Sequence, residues 1–240
     1  MTRLIIAVIL AALGSAPAMA AKTLSLTTPA ADPLSNEKSD GFIDQVVAEA
    51  LNRMGYKLSV SHLPAERALI NANTGIDDGD LNRIGGLSKV YPNLIQAKEA
   101  TFTMQFVAFS KKANISTRNW ETLRPYTIGL VTGWKILESN IPPGTQVVKV
   151  RNPDQLFYLL QKDRIDIALF GKWQGLEHLK KNHINDIHLL SPPLAEKDMF
   201  VYFHRKHESL VPVFDAALQK MKRDGSWQNI FNKTLEPLAR

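Results

Sequence analysis

The chain of 240 residues carries 29 Lys and Arg against 23 Asp and Glu, is 45% hydrophobic and 22% charged, and has no cysteine. That profile belongs to a folded globular protein and excludes disorder, fibrous repeats, disulfide scaffolds, thiolate nucleophiles and Cys-ligated metals. Its basic residues are interspersed with acids, so the net charge of +6 gives no nucleic-acid footprint.

The first twenty residues stand apart. A basic start at Arg3, an unbroken apolar run over residues 4–13 and the small-x-small site Ala18-Met19-Ala20 read as a secretory signal peptide cleaved after Ala20. The apolar run is too short for a membrane span, which needs about 18 or more residues. With no cysteine for a lipid anchor, the expected product is a free periplasmic protein.

Residues 23–28 read as a strand closed by Pro29 and Pro33. Phe42, Ile43, Val46, Val47, Ala50, Leu51 and Met54 then recur at three- and four-residue steps, which predicts a helix capped by Ser39 or Asp40 and stopped at Gly55. A strand over 56–63 and a helix over 65–72 follow, with Gly75 beyond the helix end. The stretch 76–92 is rich in Asp and Gly, and its Asp77-Asp78-Gly79-Asp80 reads as a solvated turn before a strand. Strands are expected over 94–97 and 104–110.

After a break near 113–119 the pattern restarts. It predicts strand 126–131, a turn at Thr132-Gly133, helix 134–139, strand 146–150, helix 154–162, strand 165–170 and helix 173–181. Strand 199–204, helix 208–223 and one more short helix complete the chain. Alternating strand and helix call for an α/β protein with parallel sheet covered by helices. Strand 199–204, if it crosses back beside the strand ending at Ser110, gives two lobes joined by two crossover strands, with the C-terminal helices packed on the first.

Four segments, in this order, resemble family 3 extracellular solute-binding proteins, the periplasmic polar amino acid-binding class that serves ABC importers. They are Gly41-Phe42-Ile43-Asp44, then Tyr126 to Gly129 with Thr132-Gly133, then LLQKDRIDIAL over 159–169, and LQKMKRDGSWQNIF over 218–231. The resemblance spans the chain beyond the signal and implies the type II periplasmic-binding-protein-like fold. Lobe 1 is then 21–112 plus 200–240, and lobe 2 is 113–199. It also implies a small-molecule ligand in the cleft, an inner-membrane ABC permease as partner, a monomer, and no cofactor, metal or catalytic residue.

In that family the ligand is held by backbone N–H groups at strand-to-helix turns, a carboxylate-binding Arg, an Asp and an aromatic clamp. Carried onto this chain, Thr132, Gly133 and Trp134 occupy the turn of lobe 2. The usual Arg has no counterpart, since residues 91–96 read YPNLIQ, and Arg83 or Arg67 is left to supply the charge. The position of the usual Asp holds Gly171, which leaves Glu66, Asp32 or Asp80 as the acid. Ser88 and Trp173 complete the candidate set. The ligand's identity stays open.

Rival readings are weaker. Gly-x-Ser-x-Gly is absent, the acidic cluster at 77–80 lacks the spacing of a calcium loop, and His178, His183 and His188 step by five, which does not stack ligands on a helix face. Trp227 and Phe231 read as core residues of the last helix. The expected function is capture of a small polar solute, an amino acid or related metabolite, for an ABC importer. A secreted enzyme on the same bilobal fold and a periplasmic sensory receptor are the alternatives.

Overall fold

The computed structural model describes residues 21–239; the segment read as a signal peptide lies outside them. Ten strands and seven α-helices follow in chain order. They are β1 (Lys22–Thr28), α1 (Phe42–Arg53), β2 (Tyr56–His62), α2 (Ala65–Thr74), β3 (Gly79–Ile84), β4 (Leu94–Gln96) and β5 (Phe102–Ser110), then β6 (Ile128–Val131), α3 (Lys135–Asn140), β7 (Val147–Val150), α4 (Pro153–Gln161), β8 (Ile167–Gly171), α5 (Lys172–Lys181) and β9 (His188–Leu189), and finally β10 (Ala195–His204), α6 (Val211–Asp224) and α7 (Ser226–Thr234).

The strands form one sheet in the order β2-β1-β3-β10-β5-β8-β6-β7, with β4 on β10 and β9 on β5. Its two wings, β2-β1-β3 and β8-β6-β7, are parallel as the alternating pattern predicts. Between them run β5 and β10, antiparallel to their neighbours, so the sheet is mixed. The first half of β10 pairs with β5, from Ala195 opposite Phe106 to Met199 opposite Phe102, and its second half pairs with β3. The last residues of β5 pair instead with β8, Val107 opposite Phe170. One strand thus carries the chain from the first wing to the second, and the other brings it back. The fold is a mixed α/β two-lobed one of the periplasmic-binding-protein-like kind.

Helix α1 buries the predicted stripe, with Phe42, Ile43, Val46, Val47, Ala50 and Leu51 wholly inside. Each of these side chains larger than alanine is worth about 1.5–3 kcal/mol of burial. Its start differs from expectation. Ser39 and Asp40 do not cap it; Gly41 is the N-cap, and its N–H donates to Asp44 Oδ2 at 3.2 Å. Glycine is required there, because a Cβ would lie 2.6 Å from the Leu34 carbonyl carbon.

The C-terminal helices return to the first lobe. Phe42 receives Trp227 and Phe231 edge-on at 5.4 and 6.0 Å, and Arg53 pairs with Asp224 at 2.6 Å. Phe231 also meets Trp173 of α5 at 5.5 Å, and Lys180 Nζ donates to the Pro237 carbonyl at 2.9 Å, so α7 and the turn after it touch the second lobe as well.

Two strands were unforeseen, the short β9 and β3. The Asp- and Gly-rich stretch, in which no strand bounds were expected, contains β3, and the 77–80 cluster is not a solvated turn. Asp77 and Asp80 are buried; Asp77 accepts from Ser25 Oγ and Asn71 Nδ2. Asp78 accepts from the Ser25 N–H at 2.9 Å and pairs with Lys206 and His207. Hydrogen bonds to neighbouring strands and helices stabilise polar residues in a central strand, where a sequence pattern expects apolar ones.

Candidate functional site

A cavity of about 1180 Å³ lies between the lobes. It opens where β1, β3, β6 and β8 end, the side of a parallel sheet on which ligands characteristically bind. Its first wall comes from the loop after β1, from Ala65 and Leu69 of α2, and from Asn82, Arg83, Ile84 and Leu87. The opposite wall is Gly133, Trp134 and the exposed side of α3, Phe170, and Gln174 to Lys181 of α5. Met104, Phe106, Lys197 and Met199 of the crossover strands form the floor.

The loop after β1 is held from behind. Ser35 Oγ donates to Asp44 Oδ1 at 2.6 Å and lies 2.9 Å from His62 Nε2. A serine, a histidine and an aspartate in contact invite a hydrolase reading, but in a catalytic triad the histidine sits between the other two. Here the serine is central, its proton goes to the carboxylate, and it is wholly buried. The cluster is a clamp that ties the cavity wall to α1 and β2. Burial raises the Asp44 carboxyl above its ordinary value, against the bonds from Ser35, Asn36 and Gly41.

Arg83 lines the cavity. Its Nε donates to Asp80 Oδ2 at 2.9 Å, and Nη2 reaches both Asp80 at 2.9 Å and the Ala65 carbonyl at 3.0 Å. Asp80 stands behind it, with 0% exposure, and accepts also from the Asn82 N–H and Thr27 Oγ1 at 3.2 Å. Burial pushes the Asp80 carboxyl up while the Arg83 guanidinium pulls it down. Nη1 makes no hydrogen bond among the described residues.

On the second wall the indole of Trp134 lies 4.6 Å from the Phe170 ring and meets Phe106 edge-on at 5.9 Å. Gly133 has φ +96°, a left-handed conformation that favours glycine. Its N–H donates to Glu138 Oε1 at 3.2 Å. Lys135 at 3.0 Å and Lys149 at 3.3 Å also hold Glu138. The Lys135 ammonium, the Gly133 N–H and Lys149 bring its carboxyl down to about 2.

Of the residues expected to form the site, the structure brings Arg83, Gly133, Trp134 and Asp32 to the cavity. The others lie elsewhere, each for a physical reason. The Thr132 N–H extends the β6–β7 ladder by donating to the Val150 carbonyl at 2.9 Å. Arg67 and Glu66 are exposed on α2 outside the lining, and Glu66 accepts from the Tyr91 hydroxyl at 3.1 Å. Ser88 Oγ donates to the Leu94 carbonyl at 2.6 Å, closing its own turn. Gly171 is covered by Gln174, whose Oε1 would stand 2.4 Å from an added Cβ. Trp173, expected to stack on a ligand, is buried between α5 and Phe231, with Lys172 Nζ 4.7 Å from its ring centre. Among the described residues no three His, Asp or Glu side chains are grouped to hold a metal ion.

Phe106, Phe170, Met104, Met199, Gln174 and Glu138 line the cavity unforeseen. The aromatic and methionine residues sit in strands whose alternation marks them as core. Only the strand ends, where a sheet gives way to a cleft, distinguish a cavity wall from a core face.

No protein-family model matches the chain. A protein of Shewanella oneidensis described as uncharacterized is 27% identical over 194 residues, covering 76% of this chain and 72% of its own. The L-cystine-binding protein TcyA of Bacillus subtilis is 21% identical over 199 residues, covering 82% and 73%. Among solved structures, an amino acid ABC transporter substrate-binding protein of Streptococcus pneumoniae bound to L-arginine superposes with TM-score 0.68 at 14% identity, covering 91% of this chain and 96% of its own. An ancestral amino acid-binding protein, described as a precursor of cyclohexadienyl dehydratase, gives TM-score 0.68 at 14% identity over 89% and 95%. Among the described residues no helix is long and apolar enough to cross a membrane. The chain has the two-lobed fold of the amino-acid-binding proteins of ABC transporters that are its structural neighbours.

Proposed function

We propose that this protein is a periplasmic solute receptor that captures a small ligand between its lobes and delivers it to an inner-membrane ABC permease. Residues 21–112 with 200–240 are one lobe, 113–199 the other, and the first twenty residues a cleaved signal. The observation that carries this reading is the cavity itself, walled by both lobes and floored by the two crossover strands. A ligand that touches both walls is bound more tightly in the closed form than in the open one, and that difference drives closure. Arg83 receives an acidic group of the ligand through its unused Nη1, and Trp134 supplies a stacking face from the opposite lobe.

The test is a thermal-shift screen of the refolded, ligand-stripped protein against amino acids, organic acids, polyamines and sugars. A ligand at a hundred times its Kd adds about 2.7 kcal/mol. At roughly 2–4 °C per kcal/mol for a chain of this size, the midpoint rises by about 5–11 °C. Recovery of the compound unchanged separates a receptor from an enzyme, the reading that the dehydratase-precursor neighbour motivates. Turnover of the bound compound, or no shift from any class, would overturn the receptor reading.

A further inference from the structure

We infer that Asn82 and Gln174 set the specificity of the cleft, and that it takes an organic acid carrying a hydroxyl or oxo oxygen where an amino acid carries its ammonium. This rests on the receptor reading above and names the class of solute.

The first observation is a buried amide with a spare donor. Asn82, next to Arg83 in β3, is only 6% exposed, yet it lines the cavity. Its Oδ1 lies 3.5 Å from Thr101 Oγ1, which donates to the Met199 carbonyl at 2.9 Å. Its Nδ2 makes no hydrogen bond among the described residues. No fully enclosed side-chain nitrogen or oxygen lacks a partner there, so this nitrogen reaches the cavity surface. Closure of the lobes on a ligand takes it out of water, and a donor left unmet is then costly. A neutral oxygen beside the acid that Arg83 holds meets the donor, whereas an ammonium has only protons to offer. Turned end for end, the amide still brings no charge.

The second observation comes from the opposite wall. Gln174 Oε1 covers Gly171, with Met104 Cε alongside, and the Gln174 amide also makes no hydrogen bond among the described residues. Asn82 and Gln174 thus flank the methionine floor, one from each wall, and both are neutral.

The third observation is where the charges stand. The carboxylates of Asp80 and Glu138 are taken, one by Arg83 and the other by Lys135 and Lys149. Asp32 is exposed and accepts from Asn36 Nδ2, and Glu177 lies a helical turn beyond Gln174. Lys181 and Lys197 line the same cavity with no acidic partner among the described residues. A desolvated ammonium needs an anionic partner, and the floor offers two amides instead. The lysines favour an acidic ligand and leave room for a second acid on the rest of the molecule.

The experiment is isothermal calorimetry on the refolded, ligand-stripped protein with three matched sets that differ only at the carbon next to the acid. They are pyruvate, lactate, alanine and propionate; 2-oxoglutarate, 2-hydroxyglutarate, glutamate and glutarate; and phenylpyruvate, 3-phenyllactate, phenylalanine and 3-phenylpropionate. In the set that binds, the oxo or hydroxy member is expected to bind at least tenfold more tightly than the amino and the unsubstituted members, since a site built to bond an oxygen rejects the analogue lacking it. Asn82→Asp and Gln174→Glu each place a carboxylate at the floor and are expected to narrow the gap to the amino member at least tenfold. Melting temperatures without ligand check that both variants fold, and the half-buried Gln174→Glu carries the test where Asn82→Asp does not. Tightest binding of an amino acid, or of a compound without an acid, would overturn this inference and leave the receptor reading intact. An unsubstituted acid that binds as tightly as its oxo and hydroxy partners, or a gap unchanged in the folded variants, would overturn the role given to the two amides. No binding by any compound, here or in the broad thermal screen, would overturn both readings.

Discussion

Replacing Arg83 with Met would strand the Asp80 carboxylate in the interior. Asp80 has 0% exposure, and the guanidinium supplies two of its contacts at 2.9 Å, against one each at 3.2 Å from Thr27 and Asn82. Removing one partner of a buried pair costs about 3–5 kcal/mol, because the remaining charge is left uncompensated. At about 2–4 °C per kcal/mol this lowers the melting temperature by roughly 6–20 °C. The double variant Arg83→Met with Asp80→Asn removes both charges, keeps an oxygen for the Asn82 N–H, leaves the Thr27 hydroxyl its bonds to the Ala68 and Gly79 carbonyls, and should recover more than half of the loss. Burial already raises the Asp80 carboxyl in the folded state, and losing Arg83 raises it further. A folded-state value above the unfolded one means that the folded protein takes up the extra proton. The deficit of the single variant must therefore shrink as the pH is lowered from 7 towards 5. Differential scanning calorimetry of both variants across that range decides the matter. A single variant within 2 °C of the natural protein, or a double variant no more stable than the single, would refute the account of this pair.

Three other outcomes are expected. Gly175→Ala should lower the melting temperature by several degrees, since a Cβ there stands 2.2 Å from Cζ of the buried Phe109 ring; overpacking of about 1–3 kcal/mol outweighs a gain in helix propensity of about 1 kcal/mol. Burial works against ionisation of Asp78, yet Lys206, the Ser25 N–H and His207 bring it down to about 2, so its stabilising contribution is present above its ordinary value of 3.8 and fades as the pH falls towards 2. Asp78→Asn should accordingly unfold more easily than the natural protein at pH 6 and no more easily at pH 2 in urea titrations. Phe231→Ala removes a ring that stacks on Trp227 at 5.5 Å and reaches Phe42 and Trp173; it should cost about 2 kcal/mol and speed proteolytic cleavage after Asp224.

The positions of the longer helices were legible from periodicity because each buries one apolar face. Phe42, Val46, Ala50 and the faces of α4 and α6 are buried as their spacing requires. The strand β3 was not legible. Its residues read GDLNRI, and four of the six are polar or glycine. The partners that make such a strand stable, Thr27 of β1 and Tyr202 of β10, come from distant segments of the chain, and the Asp80–Arg83 pair closes within the strand itself. Gly79 shows the same dependence: a Cβ there would lie 2.0 Å from the Tyr202 carbonyl oxygen, and nothing local announces it.

The candidate site divides along the same line. Gly133 and Trp134 were found because a strand-to-helix turn has a local signature, and Arg83 because a cation was needed in the first lobe. Trp173 was misplaced because an aromatic residue at a helix start looks the same whether it faces a cleft or another helix. The sequence by itself determined the α/β alternation, the two halves and their resemblance, since these rest on local periodicity and motif order. Only the tertiary structure decided which rings line the cleft, that Glu138 fills the Gly133 turn and that Asp80 stands behind Arg83. Those are meetings of residues far apart in the chain or set by how a turn folds back, and the free energy that selects them exists only once both lobes are packed.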